Sequence, residues 1–192
     1  MTPGHVAPLR AMLAGRPAVW GLCVVFAGSW LIAASSWVSL PVHPVPMTMQ
    51  TFAILLVAGV AGARLATASV ITWLAQAALG LPFLADGAGG LDPFSGPTAG
   101  FLAGFVIAAW LCGWLTERPR LRGWLAMGAI FLAGHAVILF AGWLRLSWLI
   151  GGEAAWSGGV EPFLIGAVLK SVLAVVAVKL ADIWARRVVV AE

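Results

Sequence analysis

The chain has 192 residues, of which 62% are hydrophobic and only 9% charged. A soluble domain has about a quarter of its residues charged, so this composition leaves too little polar surface to face water and points to an integral membrane protein. The net charge of +4 is spread as one to three basic residues at a time between apolar runs, which excludes the clustered basic face of a nucleic-acid binder.

The first sixteen residues are short on hydrophobicity, and the run after them is long enough to span a bilayer. We therefore expect it to stay as a helix rather than be cleaved as a signal peptide. That first span covers Val19 to Trp37. The segment SLPVHPVPMTMQ follows, with Pro41, Pro44 and Pro46, and reads as an extended, partly buried loop. The second span runs from Thr48 to Ala63, ended by Arg64, and the third from Ala66 to Gly80.

Leu81 to Phe101 comes next. Its glycines, with Pro82, Pro93 and Pro97, rule out a regular helix or strand. Its bulky apolar residues, among them Phe83 and Phe94, rule out a solvated linker. Such a loop folds back onto something. The fourth span covers Pro97 to Leu115 and is closed by the polar break from Glu117 to Arg122. The fifth covers Trp124 to Leu149 and the sixth Pro162 to Ala181.

The predicted fold is therefore all-α: one polytopic membrane domain, residues 1–192, with six transmembrane helices and long outer loops. Arg10, Arg16, Arg64, Arg118, Arg120, Arg122, Lys179, Arg186 and Arg187 fall on one side. Asp86, Asp92, Glu153 and Glu161 fall on the other, with only Arg145 near them. By the positive-inside rule both termini are inside, in a multi-pass protein of the cytoplasmic membrane. The long, ordered outer connections then mark the outer side as the working side.

Trp20, Trp37, Trp114, Trp124 and Trp148 lie near span ends and suit the membrane interface, whereas Trp73 and Trp110 fall inside runs and suit the core. Cys23 and Cys112 also lie inside runs and are expected to be small buried packing residues.

Lys170 stands out among the polar residues. It lies about eight residues into the last span, roughly 12 Å deep. A lysine there costs about 2.5–3.5 kcal/mol on insertion scales, so it should face the protein interior or a wet cavity. Phe163, Gly166 and Ala167 share its helix face, and the two small residues leave room for a ligand. Thr48, Gln50 and Thr51 head the second span, Thr72 and Gln76 lie in the third, and His135 lies in the fifth. Each suits an interhelical hydrogen bond or a ligand contact. For His135 a packing or interhelical role is favoured, because no second ligand lies at metal-binding spacing. Arg145 suits either an anchor at the outer end of the fifth span or a partner for an anion. No nucleotide-binding or hydrolase motif is present, and no nucleophile–base pair supports an intramembrane enzyme. We expect a solute-binding membrane subunit with no cofactor of its own.

Three segments resemble a known family. HPVPMTMQTFAILLVAG, from His43 to Gly59, is similar to its PVPxTxQTFAxLLAG segment. Leu79 to Phe105 is similar to GLPVFAGGxGG…GPTGGYLxGF, and GVEPFLIGAVLK, from Gly159 to Lys170, to GVxPFxxGDxxK. The family is BioY, the biotin-binding S component of energy-coupling factor transporters, and the resemblance covers nearly the whole chain. It implies six helices, with biotin bound near the outer face beneath the outer loops. It also implies a transmembrane T component and ATPase subunits as partners, which alone use ATP. It gives Ser29 and Ala33 on the first helix as a candidate surface for the T component. In the family motif an Asp and a Lys help bind the biotin head group. Here the Lys is kept as Lys170 and the Asp is replaced by Ala167. The candidate binding residues are then Lys170, Asp86, Gln50, Gln76, Thr48, Phe83, Phe94 and Arg145. Phe83 and Phe94 of the long loop would pack on the ligand or close the pocket.

Overall fold

The computed structural model describes residues 15–190; Arg10 of the basic side lies outside the described residues. The long helices are α1 (Ala18–Ser36), α2 (Gln50–Ala78), α3 (Ala99–Thr116), α4 (Trp124–Ile150) and α6 (Phe163–Val190). A short helix, α5 (Gly152–Gly159), joins the last two. Among the described residues, five helices are long and apolar enough to cross a membrane. The proline-rich segment is not a simple loop. It forms a small antiparallel ribbon in which β1 (Ser39–Leu40) pairs with β2 (Met47–Thr48).

The expected second and third spans form the single element α2, but it is not one straight helix. Gly62 has φ 79° and ψ 177°, outside any helical conformation. A straight helix of these 29 residues would hold its ends roughly 43 Å apart. Yet Gln50, at its start, and Leu84, six residues past its end, line one cavity. Six residues reach only about 20 Å, so the chain must fold back at Gly62. The result is two helical legs, 50–61 and 63–78.

A break inside a helix leaves helix-end backbone groups that need hydrogen-bond partners. The polar segment after α3 satisfies them. The Glu117 carboxylate accepts the Ala63 N–H of the second leg at 3.1 Å, where a negative charge suits a helix N-terminus. On the first leg, Thr116 Oγ1 lies 3.3 Å from the Ala58 carbonyl, and Arg122 Nη1 donates to the Gly59 carbonyl at 3.4 Å. Arg122 also donates to the Thr116 carbonyl at 3.0 Å and meets Asp182 of α6 at 2.5 Å. Lys179 donates to the Arg122 carbonyl. The expected polar break is thus a cap for the fold's sharpest turn. Gly113 lets α3 approach this turn, since a Cβ there would stand 2.6 Å from the Ala63 backbone.

The α2 hairpin is the centre of the molecule and packs against α1, α3 and α6, and α4 packs against α3, α5 and α6. Trp73 is fully buried in this core, as expected. Trp110 is not: it is exposed and stacks on Trp114 with ring centroids 5.8 Å apart. Cys112 is buried, but Cys23 lies exposed on α1. Ser29 and Ala33 are buried. They pack inside the bundle and present no outward surface, so the face of α1 open to a partner carries Leu22, Phe26 and Trp30 instead.

Candidate functional site

A cavity of about 320 Å³ opens at the end of the bundle opposite Gly62. That volume lies at the small end of ligand pockets. Its walls come from four elements. The first leg of α2 supplies Gln50 and Thr51, α3 supplies Phe101, Leu102 and Phe105, α4 supplies His135, Ile138 and Leu139, and α6 supplies Phe163, Ala167 and Lys170. Val45, Pro46 and Thr48 of the ribbon, with Leu84, Ala85, Asp86, Ala88, Pro93 and Thr98 of the long loop, complete it.

Most of this lining is apolar, so the few polar groups define its chemistry. Lys170 is buried and its Nζ donates to the Thr48 carbonyl at 2.6 Å. An ammonium has three protons, so the contact leaves donors for a guest. The Thr48 hydroxyl donates to Gln50 Oε1 at 2.7 Å, and the Gln50 N–H lies 3.3 Å from the Thr48 Oγ1. This tight local turn leads into α2 and fixes where the Thr48 carbonyl points. Gly166 keeps α6 close to the ribbon, with Met47 Sδ 3.1 Å from where its Cβ would be.

The cover is tied down at several points. Phe83 O receives Trp73 Nε1 at 2.8 Å and Ser36 Oγ at 2.9 Å, and Trp37 Nε1 donates to Pro82 O at 3.2 Å. Asp86 has a left-handed backbone, φ 56°, and accepts the Ser39 hydroxyl at 3.0 Å. That bond joins the ribbon to the long loop. Arg145 holds the far side of the same loop, through the carbonyls of Ser95 and Gly96.

The sequence-predicted residues therefore divide. Lys170, Asp86, Gln50 and Thr48 line the cavity. Phe83, Phe94, Gln76 and Arg145 are not in its lining. Phe83 and Phe94 pack against the hydrophobic core, and Phe83 meets Trp30 edge-on at 5.8 Å. The aromatic walls are Phe101, Phe105 and Phe163 from the helices, and the cover comes partly from the ribbon. Gln76 sits half-buried in the second leg of α2. Thr51, the second residue of α2, lines the cavity beside Gln50. His135, expected as a packing or interhelical residue, does join two helices, its Nδ1 lying 3.0 Å from Ser171 Oγ of α6, and it also lines the cavity.

The chain matches the BioY family over residues 11–187. It belongs to that family. Among BioY relatives, the biotin transporter BioY of Thermotoga maritima is 36% identical over 146 residues, covering 75% of this chain and 85% of the relative. The biotin transporter BioY of Rhizobium etli is 37% identical over 148 residues, covering 71% and 78%. A crystal structure of the S component for biotin from an ECF-type ABC transporter superposes with a TM-score of 0.76 at 27% identity, covering 83% of this chain and 89% of that one. The chain itself carries several membrane-length helices among its described residues. Ala167, where the sequence resemblance implied an Asp, lines the cavity with a side chain that cannot hydrogen-bond.

Proposed function

We propose that this chain is the biotin-binding S component of a biotin uptake system, a transport protein and not an enzyme. The observation that carries the reading is the mainly apolar cavity with Lys170 buried in its wall. Biotin has an apolar fused ring and chain, a polar ureido group and a carboxylate. An apolar pocket with one cation and a few fixed polar groups suits that mixture. Thr48, Gln50 and Asp86 complete the polar edge of the site.

The finer topology follows the same logic. The α2 hairpin crosses twice, giving six crossings of the cytoplasmic membrane by one domain. Arg64, Arg118, Arg120, Arg122 and Lys179 cluster near the Gly62 end, and the cavity end carries Asp86, Asp92 and Glu153. This distribution favours both termini inside and the cavity facing out. Release to the inside needs energy, and the chain carries no nucleotide-binding motif. It draws ATP-driven motion from a T component and ATPase subunits, to which the exposed apolar faces of its helices are open.

Equilibrium binding of labelled biotin to the detergent-purified protein tests this, with other vitamins as competitors. Saturable binding displaced by biotin alone is expected. No biotin binding, with another vitamin retained through purification, would overturn it.

A further inference from the structure

His135 is buried in α4 and lines the cavity. Its two ring nitrogens have different surroundings. Nδ1 lies 3.1 Å from the Phe131 carbonyl and 3.0 Å from Ser171 Oγ. A carbonyl can only accept, so the ring proton sits on Nδ1 and Nε2 is left as a bare acceptor. Nε2 is itself buried and has no hydrogen-bond partner. A buried, unsatisfied acceptor costs free energy, and at a cavity wall a guest can satisfy it. The hydroxyl of Thr51, also in the cavity lining, is likewise buried and unpartnered. Ala167, one turn before Ser171 on α6, offers the guest nothing polar.

We propose that His135 determines ligand specificity by accepting a hydrogen bond, through Nε2, from an N–H group of the bound molecule. The inference rests on the biotin reading above and deepens it. In biotin the only N–H groups are the two of the ureido ring. Nε2 therefore marks where that ring sits and rejects ring analogues that lack the donor. Phe131 and Ser171 hold the imidazole in the accepting tautomer.

The test uses the full-length protein in detergent and two kinds of ligand: biotin, and biotin methylated on one or the other ureido nitrogen. In the unaltered protein, methylation at one nitrogen should weaken binding by about tenfold to a hundredfold, the range expected for an acceptor left unpaired. His135→Leu should weaken biotin binding by a similar factor and remove most of the discrimination against that methylated form. His135→Gln, which can place an amide oxygen near the Nε2 position, should recover part of both. If His135→Leu does not fold, the His135→Gln protein and the methylated series on the unaltered protein still decide. Equal tolerance of methylation at both nitrogens, or a His135→Leu protein that binds biotin within about twofold of the original, would overturn the assignment of His135 alone. An unaltered protein that binds no biotin would overturn the biotin reading and this inference together.

Discussion

Lys170 Nζ donates to the Thr48 carbonyl at 2.6 Å, joining two residues 122 positions apart in the chain. The bond ties the last long helix to the strand that enters the first leg of α2. It also holds a cation at the cavity wall with donors to spare.

The first prediction concerns that cation. Lys170→Leu should raise the Kd for biotin by about tenfold to a hundredfold, the scale of a lost charge-assisted hydrogen bond. Thermal stability should hold or rise, because removing a buried charge relieves its desolvation cost. Binding and melting measured on one preparation separate the two effects. Unchanged affinity would remove Lys170 from the binding site.

The cover makes a second case. Ser39 and Asp86 join the ribbon to the long loop, and Asp86 also borders the cavity. If this bond only holds the cover shut, Ser39→Ala and Asp86→Ala should each speed biotin release by about two- to tenfold, and the double variant should add little. A larger effect of Asp86→Ala than of Ser39→Ala would show that the carboxylate touches the ligand itself. Dissociation rates from pre-loaded protein give the answer.

Stability should depend on Gly62. Its backbone lies in a region essentially closed to other residues, and a Cβ there would meet the Glu117 side chain. Gly62→Ala should therefore cost about 2 kcal/mol or more. Glu117→Ala should cost about 1 kcal/mol through loss of the cap on Ala63. Thermal unfolding in a single detergent compares them, and a Gly62→Ala protein as stable as the original would contradict the break.

The Arg122–Asp182 pair lies at the same turn, with side chains 8% and 13% exposed. Asp182→Ala strands a mostly buried guanidinium and should cost about 3 kcal/mol. Arg122→Met combined with Asp182→Leu should recover much of that loss, since apolar replacements of a buried pair are often tolerated. A double variant no more stable than Asp182→Ala would show that the carbonyl contacts of Arg122, not the ion pair, hold the turn.

Hydropathy and charge alone assign the membrane class, the approximate positions of the long apolar helices and the inward-facing burial of Lys170. Lipid imposes those features locally: about twenty apolar residues suffice for a span, and any charge within one is conspicuous. The sequence also placed a break in the second apolar run, but at Arg64 and not at Gly62, because a positive φ leaves no mark beyond the glycine itself. What the polar and aromatic residues do depends on how the helices pack. Glu117 caps a helix that begins 54 residues earlier in the chain, and the ribbon shares the cover with the long loop. Phe83 and Phe94 turn to the core, whereas Phe101, Phe105 and Phe163 face the cavity. Hydropathy marks each of these aromatics as apolar but does not say which neighbour it will meet. His135 is the sharpest case, since its accepting Nε2 is set by Phe131 on its own helix and Ser171 on another. Contacts between distant segments carry no local period, and they exist only once the helices pack.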